Sequence, residues 1–273
     1  MRGIIKVTLG IEVKKIIGGR MDSFIAWVGG KKLLRKEIVN RFPQNGVKKY
    51  VEVFGGAGWV LFYKDKHAEK EIYNDVNSEL VNLFRNVKYH PEAVAKELEL
   101  TLSAREIFEK YKVADVGQMT EIQRAARYLY LIKLSYGATV RSFGCRARNV
   151  VDLETLHQVK RRSDGVLIEN KSFAKLITAK DGTETLFYCD PTYHNTEKYY
   201  DTGEDCFGEE MHILLRDTLR GIEGNFVLSY NDDEFIRELY KDFVLEEVER
   251  SQNLKMALGD LGSRYKELII RNF

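Results

Sequence analysis

The run Tyr50-Val-Glu-Val-Phe54, followed at once by Gly55-Gly56-Ala57-Gly58, constrains this chain more than any other stretch. An apolar strand closed by glycines, and then a helix-like stretch through Val60, Leu61 and Phe62, has the pattern of the first βα turn of a nucleotide-binding sheet. The short run Glu71-Ile-Tyr73-Asn74 then ends in Asp75, 17 residues beyond Gly58. An acid at that distance can accept both ribose hydroxyls of an adenosine-containing ligand. A nicotinamide-dinucleotide site satisfies the same two features, so the glycines and the acid alone leave the ligand open.

The pattern continues along the chain. Gly165 to Glu169, Leu186 to Cys189 and Phe226 to Asn231 read as strands, with Phe243 to Val248 and Tyr265 to Ile270 as closing strands. Between the second and third runs, Ser78 to about Tyr136 repeats apolar residues at helical spacing, such as Leu80, Leu83, Phe84 and Val87. Helices are also expected just after Phe173 and from Met211 to Leu219. The fold class is therefore α/β, a Rossmann-like sheet carrying an inserted, mostly helical segment. Residues 1–20 read as an extension, 21–90 with 165–273 as the sheet-bearing domain, and 91–164 as the inserted subdomain.

The strand Leu186-Phe-Tyr-Cys189 delivers Asp190-Pro191-Thr192-Tyr193 at its carboxyl end, where an α/β sheet usually places its ligand. Proline stiffens the turn and offers a carbonyl, so a carboxylate, a peptide carbonyl and a flat ring converge. Such a trio suits an exocyclic amine on a planar heterocycle: two acceptors take its hydrogens while the Tyr193 ring stacks on the base. Fixed acceptors also favour the pyramidal nitrogen of an in-line attack. Upstream, Trp27-Val-Gly29-Gly30-Lys31-Lys32 precedes a helix-like pattern with Leu33, Leu34, Ile38 and Val39, and an anionic group is expected at that turn. Tyr193 to Phe207 is polar and reads as a lid over the site.

Composition narrows the setting. Cys145, Cys189 and Cys206 form no CxxC or Cys/His ligand spacing, and His67, His90, His157, His194 and His212 show none either. No zinc site or disulfide framework is expected, and a reduced, cytoplasmic setting follows. The apolar stretch Ile4 to Ile17 is broken by Lys6, Glu12, Lys14 and Lys15, so neither a signal peptide nor a membrane span is expected. The net charge is only +2, but residues 1–50 hold twelve Lys/Arg against three acids and residues 123–180 twelve against four. Two basic blocks in a near-neutral chain fit a phosphate-binding cleft. Arg124, Arg127, Lys133, Arg141, Arg146 and Arg148 stand among Tyr128, Tyr130, Tyr136 and Phe143, a mixture suited to phosphates and bases.

Taken in order, Trp27–Lys31, Phe54–Gly58, Asn74-Asp75, Asp190–Tyr193 and Leu228–Asn231 resemble the Dam-type (D12 class, alpha group) DNA N6-adenine methyltransferases, over about residues 23–272. The resemblance implies methyl transfer from S-adenosyl-L-methionine to N6 of an adenine flipped from duplex DNA, without a metal. It assigns Trp27 and Lys31 to the methionine part of the cofactor, Phe54 and Gly56 to packing against it, Asp75 to its ribose, and Ser172 and Phe173 to its adenine. Asp190, Pro191 and Tyr193 match the catalytic tetrapeptide, with Asp190 also against the cofactor. Lys32, Arg124, Arg127, Arg141, Arg146 and Arg148 are the expected DNA contacts, residues 91–164 the target-recognition subdomain, and a cognate restriction endonuclease a further partner. This chain departs from the family at Thr192, where proline is usual, at Ser172, where relatives often have aspartate, and at Ala26, where enzymes reading GATC have lysine. An RNA adenine methyltransferase could carry the same tetrapeptide, and a binding protein that has lost transfer could carry those departures.

Overall fold

The computed structural model describes residues 21–145, 150–195, 207–250 and 265–273. Among them, one sheet contains β1 (Lys49–Glu52), β2 (Lys70–Asn74), β3 (Val166–Glu169), β4 (Thr185–Cys189), β5 (Asn225–Asn231), β6 (Val244–Arg250) and β7 (Tyr265–Arg271). The order is β3-β2-β1-β4-β5-β7-β6; β7 runs antiparallel to both neighbours, and the β3-to-β5 pairings are parallel. The strand order reverses between β1 and β4, and at such a switch point the carboxyl ends of the strands open a crevice for a ligand. The extension at residues 1–20 lies outside the described residues.

Helices cover both faces: α1 (Arg35–Asn40), α2 (Ser78–Tyr89), α3 (Pro91–Leu98), α4 (Arg105–Lys112), α5 (Glu121–Leu134), α6 (Leu153–Ser163), α7 (Phe173–Lys180), α8 (Glu209–Arg220) and α9 (Glu234–Leu239). Strand alternation divides the core in two. Tyr50, Leu186 and Tyr188 face a cluster shared with α1 to α6, while Val51, Val53, Phe187 and Cys189 face one shared with α7 to α9.

The helical stretch from Ser78 is broken where its chemistry demands. Pro91 lacks the N–H needed to continue α2 and instead occupies the first turn of α3. A capping box of Thr120 and Gln123 starts α5. The helix expected after Gly55–Gly58 is corrected to a turn followed by a single 3-10 turn, Leu61–Tyr63. Gly56 and Gly58 have φ of 49° and 68°, a left-handed path that an α-helix cannot follow.

The inserted helices close no core of their own. Phe108, Leu129, Tyr130 and Val159 pack in one cluster with Tyr50 and Tyr73 of the sheet. Arg162, at the end of α6, reaches Glu71 of β2 through both terminal nitrogens at 2.8 and 2.9 Å, and also donates to the carbonyls of Leu61 and Lys64. Both side chains are almost fully buried. Removing one member of such a pair strands a charge in the core, so Arg162→Met should destabilise the fold by about 3–5 kcal/mol in urea unfolding.

A second buried carboxyl behaves differently. Glu52 ends β1 beneath the crevice and accepts from the Tyr50 hydroxyl at 2.7 Å. Burial, reinforced by the Asp190 charge, outweighs that hydrogen bond and raises its pKa to about 8. Because the folded value lies above the ordinary 4.5, Glu52 contributes stability in full below that value and loses it as pH rises through about 8. Glu52→Gln should therefore flatten the stability profile between about pH 5 and 8, read by urea midpoints at several pH values.

Candidate active site

The crevice at the carboxyl ends of β1, β2 and β4 has a volume of about 1650 Å³. Asp190 stands at its floor directly after β4. Its Oδ1 meets the Lys31 ammonium at 2.7 Å and accepts from the Ser229 hydroxyl at 3.0 Å, while Tyr188 and Ser229 share a hydrogen bond of 3.2 Å behind it. Burial raises the Asp190 pKa, and Lys31 and Ser229 oppose that shift. Since both contacts fall on Oδ1, Oδ2 is the oxygen left for an incoming donor.

Lys31 is held where three groups converge. It is 4% exposed, donates to the Gly29 carbonyl at 3.0 Å, and places its ammonium 4.6 Å from the centre of the Tyr193 ring. It therefore lies at the Asp190 end of the crevice, and its carbonyl accepts the Arg35 N–H at 2.8 Å where α1 begins. The turn at Gly29-Gly30, where an anionic group is expected, aims a cation at Asp190. Gly30 is required there, because a Cβ would stand 2.7 Å from Trp59 Nε1.

The Tyr193 hydroxyl donates to Glu267 of β7 at 2.6 Å. The next residue, His194, is held by Asp233 at 2.9 Å and stacks on Phe235. Pro191 and Thr192 line the crevice.

The opposite end sets an acid among aromatic rings. Asp75 accepts the Gly56 N–H at 2.8 Å and the Asn77 N–H at 2.9 Å, which ties the acid to the glycine turn. Asn74 bonds the Val53 carbonyl and both backbone groups of Lys171, so the ends of β1 and β2 and the loop after β3 are locked together. The rings of Phe54, Phe173 and Phe207 lie within 5.6 to 5.9 Å of one another. Trp27 covers Gly56, where a Cβ would stand 3.0 Å from the indole. Ser172 sits at the N-cap of α7 but makes no capping bond with its side chain, and it lines the crevice. Phe207 was not legible in the sequence, being a lone aromatic at the end of a polar stretch. Glu267 was, in principle: it is a charge just ahead of the apolar run Leu268-Ile-Ile270, at an inward position of its strand. The remainder of the expected lid, 196–206, lies outside the described residues.

The basic residues divide. Arg141 and Lys112 line the mouth, where Lys112 donates to the Arg141 carbonyl at 3.0 Å. Lys32 is exposed nearby, paired with Asp22 at 2.7 Å. Ala138 and Val140, also at the mouth, have φ of 59° and 63°. That conformation costs a residue with a Cβ about 1–2 kcal/mol, so the loop is held under strain. Arg127 is buried, donating to the Tyr111 and Lys112 carbonyls and lying 3.6 Å from Glu79. Arg124 also pairs with Glu79. The expected DNA contact by Arg127 is corrected: its guanidinium ties α5 to α2 and α4. Arg146 and Arg148 lie outside the described residues. No group of three metal-ligating side chains occurs among the described residues, and no helix there is long and apolar enough to cross a membrane.

Comparison with known proteins gives the family. D12 class N6 adenine-specific DNA methyltransferase is the family matched, over residues 27–254. The Type II methyltransferase M1.LlaDCHI of Lactococcus lactis subsp. cremoris is 26% identical, over 92% of this chain and 95% of its own. The Type II methyltransferase M.CviBI of Paramecium bursaria Chlorella virus NC1A is 23% identical, over 93% and 100%. The DNA adenine methylase of Haemophilus influenzae is 25% identical, over 80% and 82%. A match across most of the chain, together with the sheet order and the crevice at its switch point, places this protein among the D12 class N6 adenine-specific DNA methyltransferases.

Proposed function

We propose that the crevice binds S-adenosyl-L-methionine and that Asp190, Pro191 and Tyr193 receive an adenine drawn out of duplex DNA for methylation at N6. The observation that carries this reading is the juxtaposition, in one crevice, of the Asp190 carboxylate with the Asp75, Phe54 and Phe173 cradle. That cradle fits the cofactor. Asp75 retains acceptor capacity for ribose hydroxyls, the phenylalanine rings offer stacking faces for adenine, and Trp27, Gly56 and Ser172 line the wall between. When bound, S-adenosyl-L-methionine supplies an electrophilic methyl group on a sulfonium.

The chain's own residues do the rest. Asp190 Oδ2 and the Pro191 carbonyl accept the two N6 hydrogens and draw the nitrogen lone pair out of conjugation. On gaining the methyl group that the bound sulfonium would supply, leaving a neutral thioether, N6 would have to shed one proton, and the crevice mouth offers that proton a route to water. Lys31 opposes the protonation that burial favours at Asp190, and the base displaces its ammonium from the Tyr193 face. Thr192 leaves the carboxylate, the first proline and the ring in place.

Lys32, Lys112 and Arg141 face the duplex backbone, and residues 91–164 supply target recognition around the strained loop. A cognate restriction endonuclease and a cytoplasmic setting accord with this reading, the first through relatives named Type II methyltransferases.

Asp190→Ala should cut tritiated methyl transfer into duplex DNA by at least about a thousandfold while S-adenosylhomocysteine affinity changes little. Wild-type-like transfer by that variant, or transfer by the native protein into RNA and not DNA, would overturn the reading. Since Asp190 is pushed up by burial, the rate should fall on the acid side at a higher pH than an unperturbed aspartate would give. Arg141→Ala and Lys112→Ala should each weaken DNA binding and lower the salt slope by about one unit, whereas Arg127→Ala should lower stability and leave that slope unchanged.

A further inference from the structure

We propose that Glu267 is a positioning residue for methyl transfer, acting through the Tyr193 ring. It lies outside every motif that suggested the activity, near the far end of the chain. The strand that carries it explains why it reaches the site. The parallel strands all point their carboxyl ends to the edge of the sheet where the crevice opens; β7 runs the other way, so its first residues arrive at the same edge. Glu267 pairs in register with Asn231 of β5 and points to the face shared by Ile269 and Ser229. It is 3% exposed, a position that carboxylates avoid unless a donor meets them.

The Tyr193 hydroxyl is such a donor, at 2.6 Å, a distance typical of a charge-assisted O–H···O bond. The bond affects the ring in two ways. It fixes the tilt from the hydroxyl edge, while Tyr230 packs beside the ring at 6.0 Å, so the stacking face is presented in one orientation. A carboxylate on the hydroxyl also enriches the ring's π face, which then attracts positive charge more strongly. The Lys31 ammonium 4.6 Å above that ring shows a cation already drawn to it. During transfer the adenine takes over positive charge as the methyl group arrives, so a face of this kind stabilises the transition state more than the ground state.

The inference rests on the methyl-transfer reading, and its test separates the two. Full-length Glu267→Gln, Tyr193→Phe and the double variant are compared by single-turnover transfer of tritiated methyl to duplex DNA, by S-adenosylhomocysteine affinity and by Tm. Each single variant should slow transfer about tenfold, the worth of one charge-assisted hydrogen bond, with affinity within about twofold of wild type. The double variant should lose no more than the slower single one. A wild-type rate for Glu267→Gln, or losses that multiply in the double variant, overturns the proposal. A lowered Tm with an unchanged rate overturns it too, because that is what a purely structural role gives. Absence of transfer by the wild-type protein counts against the methyl-transfer reading alone; the Tm values then decide the contact, additive losses overturning it and non-additive losses supporting it.

Discussion

A carboxylate has to stay charged in a place that disfavours charge, and much of the site is arranged around that demand. Asp190 lies where burial pushes protonation upward, and a protonated acid would lose acceptor strength toward an amine. Lys31 and Ser229 counter the burial from one side, both on Oδ1. Neighbouring Glu52 shows what the same environment does without a cation in contact: its pKa rises to about 8, leaving it largely neutral near physiological pH. Burial thus raises both acids of the crevice, and at Asp190 the Lys31 ammonium and the Ser229 hydroxyl oppose it.

The lysine in turn depends on the backbone. Gly30 lets the Trp27–Lys31 turn lie against Trp59, and Gly56 lets the Trp27 indole lie against the glycine turn after β1. Asp75 closes the circle by accepting the Gly56 N–H. The Asp75–Phe54 end of the crevice and the Asp190 carboxylate are therefore parts of one packed unit, joined by contacts that leave no room for side chains at the glycines.

Much of the sheet was legible in the sequence because most of its strands are apolar runs bounded by glycine, proline or acid; each of the seven runs overlaps an observed strand. The glycine turn misled only about the segment from Val60 onward, since positive φ at Gly56 and Gly58 is a conformational fact that residue type permits without dictating. The family belongs to what could be read in advance, from the order of short motifs. Arg127 could not be read: a guanidinium among aromatics looks the same in sequence whether it meets phosphate or the carbonyls of a neighbouring helix. Nor could the partner of Tyr193 be read, because Glu267 is 74 residues away and meets it only through strand direction.

The buried pair of Arg162 and Glu71 bears on how such a protein can diversify. The helices of the inserted segment are riveted to β2 through the last turn of α6, and their apolar faces belong to the same cluster as the sheet. Exchanging that whole segment between relatives would carry away half of an interior ion pair and half of a core. In the short loop around Thr139 and Arg141 the Arg141 side chain is exposed, so single edits there disturb the interior less than exchange of the whole segment, which makes small local changes the cheaper route to variation on this scaffold.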